Sequence, residues 1–243
     1  MTEQNGMGLA DALARHLAGM GLSVPKAVGK RLVAYAELAW TGNERARLTG
    51  AVSLEELVTK HLVDCATLWL LRGVRWDRWI DVGSGAGLPG MVLALGAGDG
   101  RGALLEATAK KAAFLRSAVA AMGLEDRVEV VQERAEDWGR GGGRERYAVA
   151  VARAVAPARV LAEYLLPLVE VGGRAVMMKG PRAGDELAEA HAAMEVLGAE
   201  VEDVVAVSLP EGEGERRLVV LRKTRPTEAA YPRRPGVPAK RPL

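Results

Sequence analysis

A glycine-rich turn preceded by an acid is the stretch of this 243-residue chain whose residue types and spacing most directly suggest chemistry. In "WIDVGSGAGLPG" (residues 79–90), glycines occupy alternate positions shortly after Asp81. Because glycine has no Cβ, such a turn is tight and lets a ligand approach the backbone closely. A dinucleotide fingerprint would need glycine where Leu88 stands, and a P-loop would need a Gly-Lys-Ser/Thr sequence that is absent. The spacing therefore favours a nucleotide-type ligand outside these two classes.

Glu106 is the second residue placed for ligand binding, since it ends the predicted strand "ALLE" downstream of Gly83. In an open parallel sheet, ligands bind beyond the carboxyl ends of the strands, where an acid can accept hydrogen bonds from ribose hydroxyls. The pattern acid-x-Gly-x-Gly-x-Gly resembles the first motif of S-adenosylmethionine-dependent methyltransferases. The turn and the acid together predict S-adenosylmethionine as the cofactor. The helix after Pro89 is expected to offer free N–H groups to a carboxylate or phosphate.

The elements that must position these residues follow from the hydrophobic pattern. Residues 1–75 predict a small N-terminal helical lobe, because their apolar residues recur at helical spacing. In residues 76–224, short apolar runs alternate with amphipathic stretches, which predicts an α/β domain whose parallel sheet has helices on both faces. Together with the motif, this indicates the class I methyltransferase (Rossmann-like) fold, a mostly parallel seven-stranded sheet with an antiparallel last strand. The predicted strands are "WIDV", "ALLE", "RVEVVQ", "YAVAVA", "GRAVMMK", "VEDVVAVSL" and "RRLVVLRKT".

Two segments lack a periodic pattern. The segment "GRGGGRER" (139–146) is expected to be a flexible loop, and the basic, proline-rich residues 225–243 are expected to form an extended tail. From 216 to 243 there are nine Lys or Arg residues and one acid, whereas the whole chain has 33 Lys or Arg and 31 Asp or Glu. A basic end on an acidic body indicates either a polyanionic partner such as nucleic acid or a solubilising tail.

Composition narrows the classes of protein. The single cysteine, Cys65, cannot form an internal disulfide, and the three histidines lie too far apart for metal-ligand spacing, so no metal is predicted. No apolar run approaches the roughly 20 residues that cross a bilayer, and the N-terminus lacks the apolar core of a signal peptide. We therefore expect a cytoplasmic protein without a membrane segment, and we expect a monomer.

The acceptor of the methyl group is constrained by what the chain lacks. Transfer to a cytosine carbon usually needs a cysteine near the fourth or fifth strand, but Cys65 lies in the predicted lobe. Transfer to an exocyclic amine often uses an Asn/Asp-Pro-Pro-aromatic motif, and here that position is "VARAVAP", with Arg153 in place of the amide or acid. A ring nitrogen such as guanine N7 has no proton to lose, so its methylation needs no general base. No catalytic residue is assigned.

The chain resembles the bacterial RsmG (GidB) family, which methylates N7 of a guanine in the 16S rRNA of the small ribosomal subunit. The resemblance lies in "RLTG", "KHLVDCATL", "WIDVGSGAGLPG", "KKAAFLR", "VARAVAP", "MMKGP" and "GERRLVVLRKT", and in the closing "YPRRPGVPAKRPL". It runs from about residue 47 to the C-terminus. One departure is Arg47, which stands where the family commonly has asparagine.

The resemblance implies site residues of two kinds. Arg153 would orient cofactor or RNA, unless it forms a salt bridge across the core edge. His61 and Asp64 would shape the pocket mouth, unless they are a packed helix pair. Lys179 would meet an RNA phosphate, unless it is a plain surface lysine. The implied cofactor contacts are Gly83, Leu88, Glu106, Ala107, Thr108, Ala135, Glu136 and Arg153. With a ribosomal RNA substrate, the cationic residues predicted to contact its phosphates are Lys179 and, from the basic C-terminal residues, Arg222, Lys223, Arg225, Arg233 and Arg234.

Two alternatives to this function stay open at the level of sequence. One is a non-catalytic RNA-binding module on a methyltransferase fold, and the other is a methyltransferase for a small molecule. Because the tail is basic, we predict that removal of residues 233–243 weakens RNA binding and leaves cofactor affinity unchanged.

Overall fold

A seven-stranded sheet in the order β3-β2-β1-β4-β5-β7-β6 forms the centre of the protein. The structure is a computed structural model that describes the backbone from residue 3 and the side chains from residue 8 to the C-terminus. Strand β7 is antiparallel to both neighbours and every other pair is parallel, which confirms the predicted fold class. The strands are β1 (Arg78–Val82), β2 (Arg101–Leu105), β3 (Val128–Val131), β4 (Tyr147–Arg153), β5 (Val169–Lys179), β6 (Ala199–Ser208) and β7 (Glu215–Lys223).

The helices predicted from apolar periodicity are present, and two short helices, Ala135–Arg140 and Val237–Lys240, lie in segments without such a pattern. The helix after the glycine turn begins at Gly90. The helix that begins at Ala158 ends at Leu165, because Pro167 has no N–H to continue it and lies in the 3-10 turn Leu166–Leu168. The helices are α1 (Glu3–Gly19), α2 (Lys26–Ala46), α3 (Leu54–Glu56), α4 (Val63–Ala66), α5 (Gly90–Gly96), α6 (Ala109–Ala121), α7 (Ala135–Arg140), α8 (Ala158–Leu165), α9 (Ala183–Leu197) and α10 (Val237–Lys240).

The central strand β4 is buried on both faces because a parallel sheet is covered by helices on each side. Val149 and Val151 belong to an apolar cluster that includes the N-terminal helices, α5 and α6. Ala150 and Ala152, which alternate with them, belong to a second cluster with α8 and α9. The helical lobe thus shares one continuous core with the sheet. Truncation of a fully buried leucine in such a core costs about 2–5 kcal/mol.

The third helical segment of the lobe starts at a capping motif. Ser53 Oγ accepts a hydrogen bond from the N–H of Glu56 at 3.0 Å. The Glu56 carboxylate accepts the N–H of Val52 at 2.7 Å, one residue before the capping serine. A π-helical segment, Leu57–Leu62, joins α3 to α4 and contains His61.

The C-terminal residues do not form the extended tail that their composition predicts. Residues 225–243 fold back along α7 and α8, where Thr227 and Pro238 are buried. The loop that was expected to be flexible holds them: Arg144 donates hydrogen bonds to the carbonyls of Thr227, Glu228 and Tyr231. Proline-rich composition indicates little regular structure but says nothing of the buried partners that hold such a segment in place. Among the described helices, none combines the length and apolar character needed to cross a bilayer.

Candidate active site

A cavity of about 400 Å³ opens at the carboxyl ends of β1, β2 and β3, where ligands bind in this class of sheet. Six of the eight predicted cofactor contacts line it, and Leu88 and Arg153 do not. Val155 and Tyr164 also face this cavity. Val155 follows β4 at the same sheet edge, so strand position could have indicated it, whereas Tyr164 reaches the cavity from α8 only through the tertiary fold. The predicted residues that line it are Gly83, Glu106, Ala107, Thr108, Ala135 and Glu136.

The glycine turn has left-handed backbone conformation at all three alternate glycines, with φ of +73°, +55° and +76° at Gly83, Gly85 and Gly87. A Cβ at Gly87 would overlap the Tyr35 hydroxyl and lie 2.8 Å from Met91 Cγ. A Cβ at Gly85 would meet nothing nearer than 3.8 Å. The chain's own packing therefore excludes a side chain at Gly87, and open space for a ligand remains at Gly85.

Glu106 joins the glycine turn to the end of β2. The residue is only 7% exposed. Its carboxylate accepts the N–H of Gly85 at 3.0 Å through one oxygen and the N–H of Thr108 at 2.7 Å through the other. Each oxygen has a second lone pair, so the carboxylate can accept two further hydrogen bonds. Glu106 is a rigidly held acceptor on the cavity wall.

The buried Asp81 side chain caps the N-terminus of α5 from the interior of the protein. Its Oδ2 accepts the N–H of Gly90 at 2.9 Å, and the N–H groups of Met91 and Val92 bond to the carbonyls of Gly87 and Pro89. The expectation that this helix offers free N–H groups to a ligand is therefore wrong. Burial raises the pKa of Asp81 to about 7, and its Oδ1 is buried without a hydrogen-bond partner.

Arg153 forms the salt bridge that the sequence left as an alternative. Its Nη1 lies 3.1 Å from Asp64 Oδ2, and Arg216 binds the same carboxylate at 2.6 Å through Nε and 3.0 Å through Nη2. The Asp64 side chain is buried, so this cluster ties α4 to β4 and β7. His61 Nδ1 lies 3.4 Å from Arg153 Nη1. Burial and the Arg153 cation lower the pKa of His61, which favours the neutral imidazole.

Cys65 lies next to this cluster and is fully buried. Burial raises the pKa of its thiol to about 12, so a thiolate nucleophile is not available there. Within the described part of the chain, no three His, Cys, Asp or Glu side chains are grouped as metal ligands.

The comparison with protein families decides the relationship. The GidB family model, described as rRNA small subunit methyltransferase G, matches residues 29–219. The chain belongs to this family. A ribosomal RNA small subunit methyltransferase G from Symbiobacterium thermophilum is 44% identical over 233 residues, which is 93% of this chain and 95% of the relative. A relative of the same name from Roseiflexus sp. is 46% identical over 209 residues, or 84% of this chain and 86% of the relative.

Solved structures of low sequence identity share the fold. Cofactor-bound Rv0187 from MTB superposes with a TM-score of 0.55 at 21% identity, covering 78% of this chain and 89% of its own. A precorrin-6y C5,15-methyltransferase from Geobacter metallireducens superposes with a TM-score of 0.52 at 18% identity, covering 74% and 96%. The predicted class I methyltransferase fold is thereby confirmed.

Two lysines implied as RNA contacts by the GidB resemblance are engaged elsewhere. Lys223 is fully buried, and its Nζ donates to Glu145 Oε1 and to the carbonyls of Leu166 and Val169 at 2.8–2.9 Å. The prediction that Lys223 contacts an RNA phosphate is therefore wrong. Lys179 is 8% exposed, and its Nζ donates to the Ala156 carbonyl at 2.6 Å and to Glu186 at 2.7 Å. The same correction applies to Lys179.

The four arginines of that set lie nearer the surface of this GidB-family protein. Arg222 is half exposed and pairs with Glu200 at 2.9 Å, and Arg225 is exposed with its guanidinium on the Glu195 carbonyl. Arg234 is exposed. Arg233 differs, because its guanidinium and its backbone N–H both bind the buried carboxylate of Glu163.

Proposed function

We propose that the cavity binds S-adenosylmethionine and that the protein transfers its methyl group to N7 of a guanine in 16S rRNA. The observation that carries this proposal is the Glu106 carboxylate, which two backbone N–H groups hold on the wall of an open cavity beside the glycine turn. Membership of a family of rRNA small subunit methyltransferases supports the reaction and the substrate. The cavity, about 400 Å³, falls in the range of ligand pockets.

In this proposal, different residues of the site contact different parts of the cofactor. Glu106 accepts hydrogen bonds from the ribose hydroxyls with its free lone pairs. Ala135 and Glu136, at the start of α7, hold the adenine end. Arg153 and Leu88 lie outside the cavity lining: Arg153 acts as an orienting cation from its salt bridge with Asp64, and Leu88 packs in the apolar core. The remaining contacts are made by Gly83, Ala107 and Thr108 at the strand ends.

Methyl transfer to guanine N7 requires little of the protein beyond the positioning of the two reactants. When bound, S-adenosylmethionine would supply an electrophilic methyl group for an in-line displacement, in which the methyl C–S bond breaks and S-adenosylhomocysteine leaves. Guanine N7 attacks with a lone pair and has no proton to lose, so no general base is needed. The part of the protein is to bring the two reactants into line, and this needs neither a thiolate from the buried Cys65 nor a charged imidazole from His61, whose pKa is lowered.

The RNA partner is bound through exposed cations. Arg222, Arg225 and Arg234 supply charge for phosphate contacts, and such contacts weaken as salt rises. Arg233 contributes chiefly by fixing the C-terminal residues. We infer a cytoplasmic monomer that acts on the small ribosomal subunit or its RNA.

The proposal is tested by incubating the protein with radiolabelled S-adenosylmethionine and naked 16S rRNA, small subunits or whole ribosomes, and then mapping the modified base. Label at N7 of one guanine supports it. Calorimetric heat with the cofactor but no transfer to any of these substrates would identify a non-catalytic module, and transfer only to a small molecule would identify the other alternative. In the same assays, Glu106→Ala should weaken cofactor binding and methyl transfer. Glu125→Ala, the same change at an exposed acid away from this cavity, is the control and should affect neither.

A further inference from the structure

The C-terminal segment contacts the wall of the cofactor cavity at points that its charge alone does not explain. We call residues 225–243 the C-terminal strap. It begins at a buried anchor, where Glu145 accepts the N–H of Thr227 at 2.9 Å and pairs with Lys223 at 2.8 Å. Together with the Arg144 contacts to strap carbonyls, this anchor directs the strap across α7 and α8.

The first contact with the cavity wall is made through Glu136. This residue lines the cavity and is 3% exposed. Its Oε1 accepts the backbone N–H of Gly236 at 2.9 Å. The strap also packs on the other end of α7, because a Cβ added to the buried Gly139 would lie 3.2 Å from Pro232 Cγ. The strap therefore holds α7 near both ends.

The second contact is made through α8. Glu163 is fully buried, and Arg233 binds both of its oxygens at 2.6–3.1 Å while the Arg233 N–H adds a bond of 2.7 Å. The next residue, Tyr164, lines the cavity. Glu136 and Tyr164 line the same cavity, so the two contacted helices lie side by side there. Burial and the Glu136 carboxylate raise the pKa of Tyr164.

We propose that the C-terminal strap is a positioning element of the cofactor site, which sets the affinity for S-adenosylmethionine by holding Glu136 and Tyr164 in place. This inference rests on the proposed function. Because coupling between two sites is reciprocal, cofactor binding in turn tightens the strap. Removal of the strap then weakens cofactor binding, contrary to the expectation from sequence that it affects RNA alone.

A matched pair of variants separates this role from the charge of the strap. Arg233→Ala removes the contact with Glu163, and Arg234→Ala makes the same chemical change at the exposed neighbour. We expect calorimetry to show a roughly tenfold rise in the Kd for S-adenosylmethionine with Arg233→Ala, within the range of ordinary site coupling, and no rise with Arg234→Ala. Arg233→Lys should restore part of the affinity. With small subunits as substrate, the KM for the cofactor should rise while kcat at saturating cofactor is retained.

A second variant covers the case in which Arg233→Ala leaves the buried Glu163 unpaired and unfolds the protein. A chain ending after Pro235 keeps the pair of Arg233 and Glu163 but loses the Gly236 N–H that Glu136 accepts. It should stay folded and bind the cofactor more weakly than the full chain. In the full chain, saturating cofactor should slow hydrogen exchange at the Gly236 amide, a measurement that needs no variant.

The outcomes distinguish this inference from the function on which it rests. If the full chain gives no heat with S-adenosylmethionine, the proposed function fails. If the full chain binds the cofactor but the folded strap variants bind it with the same Kd, or if the Gly236 amide exchanges at an unchanged rate, only the positioning role is overturned. Equal weakening by Arg234→Ala would also overturn it, since charge would then be the cause.

Discussion

The Glu106 carboxylate accepts the backbone N–H of Gly85, so the end of β2 and the glycine turn are one rigid unit. Glu106→Ala removes this bond, the bond to Thr108 and the proposed acceptor for the ribose hydroxyls. We expect cofactor affinity to fall by about 2–3 kcal/mol, or roughly 30- to 150-fold in Kd. Glu106→Gln should be intermediate, because its amide nitrogen faces a backbone N–H. Calorimetry checks both, and parent-like binding by Glu106→Ala is incompatible with the proposed site.

Gly85→Ala and Gly87→Ala separate ligand binding from packing. Gly87→Ala would overlap Tyr35 and Met91 in a left-handed conformation, so we expect a loss of about 2–4 kcal/mol in the free energy of unfolding. The methyl group of Gly85→Ala would lie in open space, so this change should lower the free energy of unfolding by only about 1 kcal/mol while it weakens cofactor binding. Denaturant titration with and without the cofactor measures both effects. Equal stability losses in the two variants would contradict the assignment.

The buried Asp81 makes stability depend on pH. Because burial raises its folded pKa to about 7, the folded state binds a proton that the unfolded state releases near pH 4. Its contribution is therefore greatest at low pH, is lost progressively from about pH 4 to 7, and is constant above that. The difference between parent and Asp81→Asn in unfolding free energy should change by about 4 kcal/mol across this window, because each pH unit between the two pKa values contributes about 1.4 kcal/mol. Urea titrations at a series of pH values provide the test, and a constant difference between the two proteins would count against a neutral Asp81.

The surface arginines and the buried Lys223 should behave differently in RNA binding. Alanine at Arg222, Arg225 and Arg234 together should weaken binding to small subunits and flatten its dependence on salt, while thermal stability changes little. Lys223→Met should remove the ion pair with the partly exposed Glu145 and leave the carbonyls of Leu166 and Val169 without their donor, which lowers the free energy of unfolding by about 2–4 kcal/mol. Binding curves at several salt concentrations and melting curves separate the two effects. An unchanged salt slope in the triple variant would contradict the role of these arginines.

The predicted strands and the glycine turn could be identified from sequence because they depend on local patterns. Apolar alternation in β4 and the positions of Glu106 and Gly83 at strand ends placed most of the cavity wall correctly. The expectation for the helix after Pro89 was wrong because the pattern could not show that Asp81, a residue nine positions earlier, would accept the Gly90 N–H.

The cationic residues also show the difference between what local sequence patterns predict and what the tertiary fold decides. Residues 216–243 are basic whichever way the chain folds, but the partners of those cations lie far away in sequence. Lys223 bonds to Glu145 and Arg233 to Glu163, contacts that span 78 and 70 residues. Composition therefore predicted a charged surface, whereas folding buried one of its lysines and used one of its arginines as a strap anchor.

Local patterns of residues were enough to predict the sheet, the turn and the acid that faces it, because each depends on hydrophobic period or on backbone conformations that only glycine adopts easily. The tertiary structure alone decided which polar groups remain available to a ligand. A buried carboxylate or ammonium must find a partner when water is removed, and that partner is chosen by proximity in space, which no local pattern encodes.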